Sequence, residues 1–189
     1  KTMRSILFLI LFIAEGWFIS VSAQSSDQQI LEQLDKAISQ KEKLKNLGIE
    51  AEFYQDNFSL SAKNVLRGLH FQNPPFDQGK LIKVICGAVL DVVVDIRKSS
   101  PTYQKNFTIE LNAEDHLMMW IPPGFAHGFV SLKENTLFYY KCSKPYHKDS
   151  EAGIIYNDPV LNINWSVNQP VLSEKDKILP NFSNATILF

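Results

Sequence analysis

The stretch Trp120-Ile121-Pro122-Pro123-Gly124-Phe125-Ala126-His127-Gly128-Phe129 joins two apolar runs through a proline-glycine turn. Proline restricts φ and glycine allows the left-handed region, so the pair ends one extended segment and begins another. From residue 51 onward, short apolar runs and turn residues alternate in this way. The strands predicted from this pattern are Glu52–Gln55, Val65–Phe71, Leu81–Cys86, Val89–Ile96, Asn106–Leu111, His116–Ile121, Gly128–Leu132 and Thr136–Lys141. Many short strands at close spacing predict an all-β, antiparallel sandwich or barrel.

The composition is that of one globular domain. The 189 residues are 45% hydrophobic and 21% charged, which is enough apolar content for a sizeable core. Lys and Arg number 19 against 20 Asp and Glu, and this balance argues against a nucleic-acid-binding surface. Cys86 and Cys142 are the only cysteines, too few for a disulfide framework or a structural zinc site.

The residues before the first strand predict an arm. The apolar run of residues 6–14 predicts a buried or partner-covered strand, and its basic flank leaves a secretory signal peptide as the alternative. A capping box at Ser26 and apolar residues at helical spacing predict a helix over residues 27–46, capped by Gly48. We expect residues 1–50 to form this arm, residues 51–165 the β core, and residues 166–189 an extension that packs on the core, with a short helical turn at Ser173–Lys177.

His127 completes the pattern Pro-x-Gly-x-x-His, which resembles part of a cupin motif. Metal-binding cupins supply His-x-His and a glutamate from neighbouring strands, whereas this sequence has His70 followed by Gln72. A catalytic metal usually takes about three protein ligands. The pattern therefore favours a cupin jelly-roll that uses no metal.

Three polar side chains suggest chemistry beside a ketone. A histidine such as His70 is a good general base near neutral pH, and a cation such as Lys80 stabilises charge on a carbonyl oxygen. Tyr140 is a candidate acid on another wall. A base and an acid on opposite faces of one carbon invert it. The alternatives for the same residues are a structural histidine, a solvated lysine and a core aromatic side chain.

Further motifs follow in order between about residues 47 and 180. They are Arg67-Gly68-Leu69-His70-Phe71-Gln72, Gln78-Gly79-Lys80, Val94-Asp95-Ile96-Arg97-Lys98-Ser99-Ser100-Pro101-Thr102, the Trp120–Phe129 stretch, Tyr140-Lys141-Cys142, Asn157-Asp158-Pro159, Ile163-Asn164-Trp165 and Leu172-Ser173-Glu174-Lys175-Asp176. Together they closely resemble the dTDP-4-dehydrorhamnose 3,5-epimerase family. The resemblance implies a cytoplasmic homodimer without cofactor, nucleic-acid or membrane partners. The implied isomerase inverts C3 and C5 of dTDP-4-dehydro-6-deoxy-D-glucose through an enolate, giving dTDP-4-dehydro-L-rhamnose.

The resemblance also implies roles for individual residues. Its catalytic residues are His70 as base, Tyr140 as acid, Asp176 as the partner that orients His70, and Lys80 as the cation at the enolate oxygen. Its substrate-binding residues are Arg67 on the phosphates, Tyr146 stacked on thymine, and Gln55, Asp56, Asn57, His127, Glu151 and Lys175. A guanidinium fork suits phosphate geometry.

Arg67 and His70 are an odd number of positions apart, so strict alternation along a strand places them on opposite faces. If both reach one cavity, the strand must bulge or twist, and Gly68 is the natural place for it.

One segment departs from the family pattern Asp-x-Arg-Gly-Phe-Phe-x-Glu. Its nearest match is residues 14–20, where Glu15 replaces the arginine and Ser20 the glutamate. A carboxylate facing a diphosphate is repelled, so we expect weaker substrate binding before any loss of chemistry. Alternative functions are a C3-only or C5-only epimerase, a 3,4-ketoisomerase of dTDP-sugars, and a sugar-nucleotide-binding cupin without turnover.

Overall fold

The computed structural model describes residues 10–12 and 41–189, which form two β-sheets with few helices. The strands are β1 (Ile10–Phe12), β2 (Gln55–Ser61), β3 (Val65–Gln72), β4 (Lys80–Cys86), β5 (Ala88–Asp95), β6 (Asn106–Asn112), β7 (Leu117–Ile121), β8 (Phe125–Ser131), β9 (Thr136–Cys142), β10 (Glu151–Gly153) and β11 (Val171–Leu172). One sheet has the order β1-β7-β4-β9-β2, and the other has the order β10-β3-β8-β5-β6. Pairing is antiparallel except that β11 runs parallel to β3. The predicted antiparallel architecture, consistent with a cupin jelly-roll, is confirmed.

Residues 41–52 belong to a different compact unit from residues 53–189. Residues 41–46 are helical, and Gly48 follows with φ 78° as the predicted C-cap. The Gly48 amide donates to the Lys45 carbonyl at 2.8 Å, and the Ile49 amide donates to the Leu44 carbonyl at 2.9 Å, which is the pattern of a Schellman motif. The earlier part of the predicted helix, the signal-peptide alternative, and Glu15 and Ser20 lie outside the described residues.

Apolar side chains fill the space between the two sheets. Val89 and Val93 on β5 face this core, while Val92 and Val94 face a second core on the outer side of the same sheet. Residues from the C-terminal segment, including Trp165, cover that outer side. Because successive side chains alternate between faces, β5 is apolar on both sides. The six-stranded sheet is thus a rigid wall for the cavity described below.

The predicted bulge lies at Gly68. The β3–β8 register shifts between Arg67 and His70, and Gly68 has φ 118°. A Cβ at this position would lie 2.6 Å from the Gly128 Cα and 2.7 Å from the His127 carbonyl oxygen. Only glycine fits this close crossing of two strands. The bulge allows Arg67 and His70 to line the same cavity.

The first core strand lies further along the chain than the sequence predicts. The prediction Glu52–Gln55 was wrong, since β2 runs from Gln55 to Ser61. Its polar residues Gln55 and Asn57 face the cavity between the sheets, while Phe58 is 60% exposed. This reverses the usual pattern, in which apolar side chains point inward and polar side chains outward.

Short segments after β9 complete the fold. The helical turn predicted at Ser173–Lys177 is present as the helix Glu174–Lys177, and the Ser173 hydroxyl accepts a hydrogen bond from the Asp176 amide at 3.1 Å. Within residues 10–12 and 41–189, no helix combines the length and the apolar character needed to cross a membrane.

Candidate active site

A cavity of about 630 Å³ opens between the two sheets. The five-stranded sheet contributes residues of β2, β4 and β9, and the six-stranded sheet contributes residues of β3 and β8. The predicted site residues that line it are Gln55, Asn57, Arg67, His70, Lys80, His127, Tyr140, Tyr146, Glu151, Lys175 and Asp176. The fold thus brings residues more than 100 positions apart in sequence into one polar pocket.

Asp56 is the predicted site residue that does not line this cavity. It lies between Gln55 and Asn57 on β2, and alternation turns it to the outer face of the sheet. Its carboxylate pairs there with the Lys141 ammonium at 2.7 Å and accepts a hydrogen bond from the Tyr139 hydroxyl at 3.2 Å. Asp56 therefore cannot reach a ligand inside this pocket without leaving those partners.

His70 and Asp176 form a close pair of titratable side chains in the pocket. His70 Nε2 lies 2.7 Å from Asp176 Oδ1, and Asp176 is almost fully buried. Burial raises the pKa of Asp176, but the His70 hydrogen bond and charge, Ser173 and Lys175 lower that pKa more, so it lies below its ordinary value. The carboxylate is thus ionised and ready to stabilise a protonated His70. His70 Nδ1 is buried and has no hydrogen-bond partner among the described residues.

Tyr140 and Lys80 face the pocket from neighbouring strands of the other sheet. Burial raises the pKa of the Tyr140 hydroxyl, with further increases from Cys142 and Glu151 and a smaller opposing effect of Arg67. Burial lowers the pKa of the Lys80 ammonium, and nearby Cys142, Asp91 and Glu151 offset part of that effect. Tyr140 is therefore a neutral proton donor at neutral pH, and Lys80 is a poorly solvated cation.

His127 is held by a residue that the sequence did not single out. Its Nε2 lies 2.8 Å from Asp91 Oδ2, and Asp91 is fully buried on β5. The His127 ring also stacks near Phe138, with ring centroids 6.1 Å apart. In the sequence, the one feature that could have drawn attention to Asp91 is its charge within the otherwise apolar stretch of residues 89–94.

A hydrogen-bonded cluster surrounds Tyr146 near the β10 end of the pocket. The Tyr146 hydroxyl donates to Glu151 at 2.7 Å, and its backbone amide donates to the Gln55 side chain at 2.8 Å. Lys175 pairs with Glu151 at 2.5 Å. Burial raises the pKa of Glu151. Hydrogen bonds from Lys175 and Tyr146, together with the charges of Lys175 and His70, lower it by more, so this pKa lies below its ordinary value. The exposed Tyr146 ring is thus anchored at one edge, which leaves its face open for stacking.

Arg67 and Ser59 line another part of the pocket, and the buried Ser61 lies between them. The Arg67 guanidinium lies 3.5 Å from the Ser61 hydroxyl, which in turn lies 3.4 Å from the Ser59 hydroxyl. Guanidinium and hydroxyl donors together suit phosphate oxygens. Ser59 was not predicted as a site residue, although it lies two positions after Asn57 on the inward face of β2.

Within the described ranges 10–12 and 41–189, no three His, Cys, Asp or Glu side chains are grouped so as to hold a metal ion. Both pocket histidines instead direct Nε2 to a carboxylate. The arrangement joins an imidazole on one sheet to a phenol and an ammonium on the other. Such a set can remove a proton beside a carbonyl, stabilise the resulting enolate and return a proton to the opposite face.

Comparison with known proteins gives a family model and relatives that share its description. A family model described as dTDP-4-dehydrorhamnose 3,5-epimerase matches residues 36–184. The dTDP-4-dehydrorhamnose 3,5-epimerase of Shigella flexneri is 51% identical over 130 residues, which cover 69% of this chain and 72% of the relative.

Two solved structures are similar in both fold and sequence. The Bacillus anthracis dTDP-4-dehydrorhamnose 3,5-epimerase with TDP and PPi bound has TM-score 0.74 and 45% identity, covering 75% of this chain and 82% of that one. The Legionella pneumophila dTDP-6-deoxy-D-glucose-3,5-epimerase in complex with dTDP-4-keto-L-rhamnose has TM-score 0.73 and 46% identity, covering 76% and 77%.

Proposed function

The chain belongs to the dTDP-4-dehydrorhamnose 3,5-epimerase family, and we propose that His70 and Tyr140 perform the family's reaction from opposite walls of the cavity. The enzyme is an isomerase of dTDP-rhamnose biosynthesis. It epimerises C3 and C5 of dTDP-4-dehydro-6-deoxy-D-glucose and gives dTDP-4-dehydro-L-rhamnose. The observation that carries the residue assignment is the placement of His70 and Tyr140 on different sheets around one pocket.

The C4 ketone acidifies the hydrogens on C3 and C5, because the electrons left behind move onto the carbonyl oxygen. The His70 imidazole takes the proton, and the C–H electron pair forms the enolate double bond. The Lys80 ammonium stabilises the enolate oxygen, where a cation in a poorly solvated site has a strong effect. Tyr140 then donates its hydroxyl proton to the opposite face of the same carbon, which inverts that centre, and solvent restores both side chains before the second carbon reacts.

Asp176 increases the strength of His70 as a base. An ionised carboxylate 2.7 Å from Nε2 stabilises the imidazolium that forms when the ring takes the proton. Ser173 keeps the carboxylate in place, since its hydroxyl donates to Asp176 Oδ2 at 2.8 Å. The pair therefore couples the C-terminal segment to the chemistry on β3.

The remaining lining residues bind the nucleotide. Arg67 takes the diphosphate, Tyr146 stacks on the thymine ring, and Glu151 and Lys175 hold Tyr146 and its surroundings. Gln55 and Asn57 contribute further polar contacts from β2, where they are hydrogen-bonded to each other at 2.8 Å. Asp56 is left out of this group, because it faces away from the pocket.

The enzyme works as a homodimer in the cytoplasm. Support for the dimer comes from β2, the edge strand of its sheet, which exposes 60% of Phe58 and 65% of Leu60 on its outer face. An edge strand with exposed apolar side chains is a typical site for contact with another protein chain. The cytoplasmic location is supported by Cys86 and Cys142, both free thiols, of which Cys86 is exposed. Light scattering on the purified protein tests the dimer, and a monomeric mass would contradict it.

Product analysis by nuclear magnetic resonance tests the activity. With dTDP-4-dehydro-6-deoxy-D-glucose as substrate, we expect a product inverted at both C3 and C5. Inversion at one carbon would identify a mono-epimerase, and movement of the carbonyl to C3 would identify a 3,4-ketoisomerase. Binding of the dTDP-sugar without any product would identify a sugar-nucleotide-binding protein.

A further inference from the structure

Asp91 is a buried carboxylate for which the mechanism above has no role. It lies on β5 between Val89 and Val93, on the face that points between the sheets, and none of it is exposed. Its Oδ2 lies 2.8 Å from His127 Nε2, while its Oδ1 has no hydrogen-bond partner within residues 41–189. Burying a carboxylate among apolar side chains is costly. Packing alone would favour leucine or valine here, so the residue requires a functional explanation.

The partner of Asp91 lies beside the proposed base. His70 on β3 and His127 on β8 are direct cross-strand partners, and both line the cavity. The pocket wall therefore carries two neighbouring His–Asp pairs, His70–Asp176 and His127–Asp91. The first pair is partly open to solvent at His70, whereas His127 is 7% exposed.

The hydrogen bond to Asp91 fixes what His127 can offer a ligand. A carboxylate accepts the proton on Nε2, and in this tautomer the lone pair of the ring is on Nδ1. A lone pair binds hydrogen-bond donors. The phosphate and ketone oxygens of a keto-sugar nucleotide are acceptors, whereas the hydroxyl groups of its hexose are donors.

We infer that Asp91 is a positioning residue that holds His127 as the hydrogen-bond acceptor for a hydroxyl of the substrate's hexose. This inference rests on the proposed function, because the hexose is the part of the nucleotide sugar that must lie near His70. Asp91 itself touches no substrate. Its contribution is to orient the ring, and through it to distinguish a nucleotide sugar from the free nucleotide.

Calorimetric titration of the full-length protein with dTDP-glucose and with dTDP tests this assignment. dTDP-glucose has no ketone, so it binds without reacting and separates recognition from catalysis. Asp91→Leu fits the apolar surroundings but cannot hold Nε2. We expect its affinity for dTDP-glucose to fall about tenfold or more, with the dTDP affinity unchanged, because a buried donor loses its partner.

Two further variants make the result specific. Asp91→Asn keeps an oxygen that accepts the Nε2 proton, so we expect dTDP-glucose affinity within about threefold of the wild type. Glu114→Gln, a change at an exposed carboxylate that pairs with Lys133 at 3.7 Å, should leave both affinities unchanged.

Three results would overturn the inference. One is an equal loss for dTDP and dTDP-glucose in Asp91→Leu, which indicates a general structural role. Another is a loss in Asp91→Asn as large as in Asp91→Leu. The third is a wild-type protein that binds dTDP-glucose no more tightly than dTDP. Failure of the proposed function is distinguished from these by the product analysis, which reports turnover of the keto sugar by the wild type alone.

Discussion

His70 and Tyr140 lie on different sheets of the sandwich, and their side chains line the same cavity. The imidazole comes from β3 of the six-stranded sheet, and the phenol comes from β9 of the five-stranded sheet. A ligand held between the sheets therefore has a base on one side and an acid on the other. Inversion of a carbon needs this geometry, since removal and return of a proton by one group would restore the original configuration.

Tyr140→Phe should separate proton removal from inversion. The phenyl ring keeps the packing against Phe138, whose ring centroid lies 6.0 Å away, but it has no proton to give. We expect epimerised product to form about 100-fold more slowly, while exchange of substrate hydrogens with deuterated solvent through His70 continues. Product and exchange are both followed by nuclear magnetic resonance.

Tyr139→Phe is the matched control for that variant. Tyr139 is the adjacent residue but faces the outer side of the sheet, where it contacts Asp56 and Lys141. Its hydroxyl should be dispensable for turnover. Equal losses of product in the two variants would contradict the assignment of Tyr140 as the acid.

Asp176→Asn should weaken the base without displacing it. The amide occupies the same volume but lacks the charge that stabilises protonated His70, so we expect kcat to fall about 100-fold. Glu174→Gln in the same short helix is the control, because Glu174 pairs with Lys177 at the surface and its side chain is 89% exposed. Steady-state kinetics measure both. A wild-type kcat in Asp176→Asn would show that the 2.7 Å contact does not support catalysis.

The activity should fall at alkaline pH when Lys80 loses its charge. Burial lowers the pKa of Lys80 below its ordinary 10.5, so the ammonium deprotonates earlier than an exposed lysine does. Because the protonated form is the one that stabilises the enolate, kcat is high below that pKa and decreases above it. In Lys80→Arg the guanidinium stays charged, and the alkaline decrease should move to higher pH. An unchanged alkaline limb in pH–rate profiles would assign it to another group.

Acid should remove a defined part of the stability through Asp95. Burial raises the pKa of this carboxyl, but hydrogen bonds from the side chains of Arg97, Ser100 and Thr102 and from the Arg97 amide lower it to about 2. Since the folded pKa lies below the ordinary 3.8, the stabilisation is complete above pH 3.8 and is lost as the pH falls toward about 2. It amounts to about 2 kcal/mol.

Urea unfolding at pH 6 and at pH 2.5 measures this contribution. Because pH 2.5 is still above the folded pKa of about 2, most but not all of this contribution is lost, and the unfolding free energy of the wild type should decrease by about 1.5 kcal/mol more than that of Asp95→Asn. Equal decreases in the two proteins would mean that the hydrogen bonds around Asp95 do not depend on its charge.

The sequence predicted the parts of the site that rest on local rules. The odd separation of Arg67 and His70 located the bulge at Gly68, because alternation leaves few ways to bring both residues to one face. The short turn predicted at Ser173–Lys177 is the helix that carries Asp176, and the structure adds that the Ser173 hydroxyl caps it. The ordered motifs provided the candidates for chemistry, and the fold brings those candidates, with the exception of Asp56, to one pocket.

Features that depend on distant partners were not predictable in this way. The strand β2 was placed too early because its polar residues point inward, toward a cavity that only the folded chain contains. The two-residue strand β11 exists through its pairing with β3, far away in sequence. In the sequence, Asp91 is a charged residue within an apolar strand. Its hydrogen bond with His127 forms because β5 and β8 lie side by side in the folded sheet.

Deuterium incorporation from heavy water tests the central claim most directly. With dTDP-4-dehydro-6-deoxy-D-glucose, the wild type should place solvent deuterium on both C3 and C5 as it inverts them. His70→Ala should slow incorporation at both carbons by about 100-fold or more. Labelling at the wild-type rate in His70→Ala, or product from the wild type without deuterium at C3 and C5, would contradict the account.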